Sequence, residues 1–160
     1  MSQIGLFEDV AVELVPINKV SLSKKRAFPV NLAEPGRFVR DHWIIFDGDK
    51  VQHKSFDKYR EPGKYPLVFW TQEHCLKLWR SVTAGQGSTV EIKGLNQADP
   101  PEAVCVPETG PSFGLNVQRL KAVMYLCSPT GYRLSPRGPV VAYSGQIPVA
   151  AIATIKMEEC

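Results

Sequence analysis

The sequence has no apolar run close to the roughly 20 residues needed to cross a bilayer. Its longest candidate, Ile147 to Ile155, is interrupted by Pro148 and Thr154 and has the length of a strand. Cysteine is scarce: four among 160 residues, at Cys75, Cys105, Cys127 and Cys160. None are paired at metal-ligand spacing, and four are too few for a secreted disulfide framework. They are expected to be reduced and mostly buried, behaving as small hydrophobes. There is no phosphate-cradling loop entering a helix with a lysine, no nucleophile elbow and no HExxH pair. Gly85-Gln86-Gly87 is half of a dinucleotide motif, and it follows a predicted helix instead of a strand. The chain therefore suggests no catalytic residue, no metal and no cofactor.

The N-terminal residues meet Glu8 and Asp9 early and lack the basic start and apolar run of a signal peptide. Ser2 is not the glycine that myristoylation needs, and Cys160 is not in a prenylation box. The expectation is a cytoplasmic protein that avoids membranes, or a nuclear one in a eukaryotic or viral setting.

What is present is the composition of a globular domain, with 44% hydrophobic and 22% charged residues. Residues 1–160 suit one domain, because halves of that length would struggle to bury enough apolar surface to offset chain entropy. The net charge of +3 is unevenly spread. Residues 21–80 hold twelve Lys and Arg against seven Asp and Glu, whereas 81–160 hold six of each. Ten of the fifteen Phe, Trp and Tyr lie in the same 21–80 segment.

Local patterning predicts mixed structure. Val10 to Ile17 partly alternates and reads as an edge strand ending at Pro16. Residues 19–29, with Lys24-Lys25-Arg26 between Ser21, Ser23 and Pro29, read as a basic arm or loop. The segment 42–56 predicts a hairpin: two β-prone runs flank Asp47-Gly48-Asp49-Lys50, whose residues tolerate tight-turn backbone angles. In that register Phe46 faces Val51 and Ile44 faces His53, while Trp43, Ile45, Lys50, Gln52 and Lys54 share the other side. A short strand follows at Pro66 to Trp70. Thr71 then caps a helix over 72–83 whose apolar stripe is Cys75, Leu76, Trp79 and Val82.

Ser88 to Leu95 alternates as a strand. Residues 96–112 are a Pro-rich surface connection with a short apolar run from Ala103 to Val106. A second helix spans Asn116 to Cys127, with Leu120, Val123, Met124 and Cys127 inward. After a loop over 128–139, the chain closes with a hairpin whose turn is Ser144-Gly145. Six or seven strands with two helices that do not alternate with them predict an α+β fold: a mainly antiparallel sheet, with a partly open barrel as one way of closing it.

The functional expectation rests on the basic and aromatic third. Binding a single strand requires cations that follow phosphates and flat rings on which unstacked bases rest. Lys50, Lys54, Lys58, Arg60 and Lys64 are the candidate cations; Trp43, Phe56 and Tyr59 are the candidate rings, with Tyr65 beside them. The expected activity is binding of single-stranded DNA or RNA through a basic aromatic sheet face. The first alternative is a structural or accessory subunit of a larger assembly, with protein partners or further copies of itself. The second is an enzyme whose residues meet only in three dimensions.

Four weaker sites stand beside this one. Lys24-Lys25-Arg26 suits phosphate contact or a nuclear address but is equally a solvated arm. Arg133 and Arg137 sit in a Gly/Pro/Ser loop without a phosphate cradle. His42, Asp47, Asp49 and His53 on one hairpin resemble a metal or acid/base set, although aspartate in a turn already has a structural reason. His74-Cys75 at a helix start resembles an activated thiol, but Cys75 also lies on the apolar stripe.

Overall fold

The structure, a computed structural model, describes residues 34–60, 70–96 and 102–155. The expected strand at 10–17, the basic arm at 19–29, Lys64, Tyr65 and Cys160 lie outside the described residues. Within them are eight strands: β1 (Phe38–Arg40), β2 (Ile44–Asp47), β3 (Val90–Leu95), β4 (Glu102–Pro107), β5 (Phe113–Asn116), β6 (Gly131–Leu134), β7 (Val140–Ser144) and β8 (Ile147–Ile152). Two α-helices, α1 (Gln72–Val82) and α2 (Val117–Cys127), and two 3-10 segments, Gly48–Lys50 and Lys54–Tyr59, accompany them. The fold is α+β. None of these helices is long and apolar enough to cross a membrane.

All strand pairing is antiparallel and falls into a five-stranded sheet, β1-β2-β8-β7-β6, and a three-stranded sheet, β3-β4-β5. The two are stitched at both ends. Thr89, just before β3, bridges Arg133 of β6, and Gly114 of β5 exchanges two hydrogen bonds of 2.8 Å with Ile155 beyond β8. These single bridges do not merge the sheets into a closed barrel.

Both helices follow their local signals. The Thr71 side chain accepts from the His74 N–H at 3.1 Å, and Asn116 accepts from the Arg119 N–H at 3.1 Å, each satisfying an orphan donor of the first turn. Cys75, Trp79 and Val82 of α1 are buried at helical spacing, and α1 packs on β1. The buried side of α2 is Val117, Leu120, Ala122, Val123 and Leu126, with Met124 and Cys127 at its margin. That side packs against β4, β5 and β8.

The hairpin expected over 42–56 does not form. β2 pairs instead with β1 and β8, matching Val39 to Phe46 and Ile45 to Ala151. The turn comes before β2, at Asp41-His42-Trp43-Ile44, where Asp41 N–H donates to the Ile44 carbonyl at 3.0 Å. The Asp41 carboxylate also accepts from the backbone N–H groups of Trp43 and Ile44, at 2.7 and 3.0 Å.

At the other end of β2, Asp47 accepts from the Asp49 N–H at 3.2 Å and from two nitrogens of Arg37, both at 2.9 Å. This side-chain capping diverts Gly48–Lys50 into a 3-10 turn and denies Val51 to Phe56 a place in the sheet. β1, β5 and β6 were not anticipated; they span only three or four residues, too few for alternation to show.

The edge strand β1 is closed by a side chain. Gln72 Oε1 accepts from Phe38 N–H at 2.7 Å and Gln72 Nε2 donates to the Phe38 carbonyl at 2.9 Å, so its amide stands where a neighbouring strand's peptide would.

Gly87, the last residue of Gly85-Gln86-Gly87, has a packing reason. A Cβ there would lie 2.1 Å from the Leu134 carbonyl oxygen, at the place where the two sheets meet. Gly87→Ala is expected to push β6 from the Ser88–Leu134 contact and cost about 1–3 kcal/mol. Urea unfolding checks this; a change below roughly 0.5 kcal/mol would show that the junction yields freely.

Candidate functional site

The 3-10 segment Lys54–Tyr59 divides the expected basic and aromatic residues. A 3-10 helix repeats every three residues, which puts Phe56 and Tyr59 on one side. Both are sealed in the core, Phe56 at 1% exposure and Tyr59 at 6%. Phe56 packs edge-on against Phe46 with ring centroids 5.4 Å apart. Neither ring offers a face on which a base could stack. Lys54 and Lys58 point to solvent, with the Lys58 ammonium 5.7 Å from the Tyr59 ring centre. Arg60 is structural: its Nη2 donates to the Gly48 carbonyl at 2.7 Å, and its guanidinium lies 5.4 Å from the Phe56 ring centre.

Trp43 is 48% exposed because it occupies the β1–β2 turn and not a strand. Lys50 lies past the far end of β2, so four strand residues, or roughly 13 Å of chain, separate the Trp43 end from the lysine end. The continuous sheet face expected to unite Trp43, Lys50 and Lys54 is therefore absent.

What the fold builds instead is an open cleft of about 480 Å³ at the lysine end. Lys50, Gln52 and His53 form one wall, Cys127 and Ser128 at the end of α2 another, and Ile147 of β8 a third. The His53 ring is held in place because its Nδ1 accepts from Ser55 N–H at 3.1 Å. Against it leans Tyr125, with ring centroids 4.5 Å apart and planes inclined by 53°. Tyr125 is 51% exposed and Ile147 49%, which makes them two of the most accessible large apolar side chains among the described residues.

Tyr125 was overlooked because it lies on a helix outside the basic third. Its phase was the available signal: it is one residue off the buried Leu120, Val123 and Leu126 positions.

The charges of the cleft are divided. Lys50 is exposed, whereas the Asp49 carboxylate faces Arg37 Nε at 3.5 Å. The last turn of α2 ends at Ser128, in the left-handed conformation with φ of 45°. That end presents carbonyl groups and the negative pole of the helix dipole. It therefore favours hydrogen-bond donors and repels phosphate, while the lysine wall does the reverse.

The remaining candidates have other employment. Asp47 serves Arg37, His42 stacks edge-on against Trp70 at 4.9 Å, and His53 lies at the opposite end of β2 from His42. Among the described residues, no three His, Cys, Asp or Glu side chains converge as metal ligands. Arg133 Nη1 donates to the Gly87 carbonyl at 3.3 Å, which ties the two sheets together. Burial pushes the Cys75 thiol up to about 11 and the Cys105 and Cys127 thiols up to about 12, leaving all three protonated and inert near neutrality.

Comparison with protein families, curated proteins and solved structures finds no match to this chain.

Proposed function

We propose that the protein binds single-stranded nucleic acid at the cleft between Lys50, His53, Tyr125 and Ile147. The observation that carries this reading is the half-exposed Tyr125 ring, 4.5 Å from the His53 ring, where His53 itself lines a cleft walled by Lys50. An aromatic ring fixed by its neighbour loses little freedom on stacking with a base, and Ile147 supplies an apolar contact beside it. Lys50 and Lys54 follow the backbone phosphates, and the carbonyl end of α2 accepts from the amino edges of bases. The free thiols, buried at Cys75 and Cys105 and half-buried at Cys127, suit a cytoplasmic or nuclear setting.

The test is fluorescence anisotropy of labelled single-stranded DNA, single-stranded RNA and duplex at rising salt. The wild-type protein is expected to prefer single strands, with affinity falling as salt rises by a log–log slope of about −0.7 per phosphate neutralised. Tyr125→Ala should weaken binding by roughly 5- to 150-fold, the equivalent of 1–3 kcal/mol for a lost base stack. Absence of binding at low salt, or an unchanged affinity in the variant, would remove the proposal.

A second reading, an accessory subunit of a protein assembly, draws on the same exposed Ile147 together with Trp43 at the other end of β2. Self-association through these residues predicts a concentration-dependent sedimentation coefficient that Ile147→Ser and Trp43→Ser abolish.

A further inference from the structure

The Trp43 end of the molecule holds a second recess, separate from the cleft and independent of the nucleic-acid reading. It is a groove of about 140 Å³ between α1 and the five-stranded sheet. Leu78 and Val82 of α1 form one side; Pro139 and the small side chains of Ala151 and Ala153 form the other. The half-exposed Trp43 stands at the rim. The space exists because alanines occupy the sheet side, where larger residues would fill it. An apolar cavity of about 150 Å³ is the size that accepts one benzene ring. The groove therefore suits a single-ring body and is too small for a drug-sized ligand.

Its charge is one-sided. Arg40 lines the groove, half-buried, with its guanidinium 3.9 Å from the Trp70 ring centre. Its Nε donates to the Asp41 carbonyl at 3.2 Å, but among the described residues it forms no ion pair. The nearby Asp41 carboxylate is already occupied by Arg119, at 2.6 and 3.1 Å, and by two backbone N–H groups. Burial disfavours the charged form of Arg40, with the flanking Asp41 only partly offsetting it. A partly desolvated cation whose neighbouring carboxylate is engaged elsewhere gains from an anion that reaches it, and a guanidinium fork matches a carboxylate. His42, edge-on to Trp70, is exposed and also lines the groove.

We infer that this groove binds a small aromatic monocarboxylate, its ring against Leu78, Val82 and Ala151 beside Trp43 and its carboxylate on Arg40. The occupant is a free small molecule, since the recess accommodates one ring and one charge.

Benzoate is the probe, with benzamide as its neutral match in shape. The measurement is the indole N–H resonances of the three tryptophans in the full chain, with Trp43 assigned by Trp43→Phe. Benzoate is expected to shift the Trp43 signal saturably, and benzamide to bind at least roughly tenfold more weakly, as for loss of a hydrogen bond to a charged group. Arg40→Gln should equalise the two ligands. Equal binding of benzoate and benzamide to the wild-type protein overturns the inference without requiring any variant to fold. So does the absence of a saturable shift, or a preference for benzoate that survives in a folded Arg40→Gln protein.

Discussion

Asp41→Ala is expected to cost about 3–5 kcal/mol of folding stability, the range for removing one partner of a buried ion pair. Asp41 is buried between the β1–β2 turn and α2, and its carboxylate performs two tasks at once. One oxygen accepts from the N–H groups of Trp43 and Ile44, setting the turn; the other receives Nε and Nη2 of Arg119 in a bidentate pair. Alanine would leave two turn donors without their acceptor and remove a carboxylate 2.6 Å from a largely buried guanidinium. The pair links residues 78 positions apart, so its loss also removes one tie between the first turn of α2 and the β1–β2 turn. Urea unfolding of Asp41→Ala, Arg119→Met and the double variant checks this. The double variant should lose less than the two single losses combined, because both single variants remove the same interaction. A loss below about 1 kcal/mol for Asp41→Ala would show that water replaces the carboxylate without penalty.

Phe56→Ala is expected to lose a similar 3–5 kcal/mol, as for other large aromatic side chains removed from a core. Phe56 is enclosed by Phe46, Tyr59 and the Arg60 guanidinium. For a chain of this length the melting temperature should fall by on the order of 10 °C. The variant separates two roles for aromatic residues in the basic third. If Phe56 stacked on a base, Phe56→Ala would weaken binding at unchanged stability. The structure predicts the reverse: lower stability, and unchanged affinity per folded molecule below the transition. Tyr125→Ala is its mirror image, with unchanged stability and weaker binding. Thermal melts beside anisotropy titrations of both proteins distinguish the patterns, and an unchanged melting temperature for Phe56→Ala would place that ring outside the core.

Both results concern residues whose roles only the structure reveals. Asp41 belongs to no motif of the sequence, yet it organises the turn that carries Trp43. Phe56 and Tyr59 looked like a platform because they alternate with lysines. The same spacing of three residues satisfies a 3-10 helix with an apolar side, and burial of about 150–250 Å² per ring favours that side facing inward. Tyr125 shows the opposite case, since a helix that buries Leu120, Val123 and Leu126 must turn some residue of that stretch outward.

The elements governed by short-range physics were legible from the chain alone. Helix α1 was readable because Thr71 supplies an acceptor within its own first turn and Cys75, Trp79 and Val82 recur at helical period. Helix α2 was readable from the helical recurrence of Leu120, Val123, Met124 and Cys127, and the β7–β8 hairpin because Gly145 permits its turn. The partner of β2 was not legible, because hydrogen-bonding capacity along a strand is the same on both edges and the choice among β1, β8 and residues 51–56 depends on distant groups. Arg37 on Asp47 and Arg119 on Asp41 make that choice. The two recesses likewise arise only where α1, α2 and the β7–β8 hairpin, remote in sequence, stop short of one another.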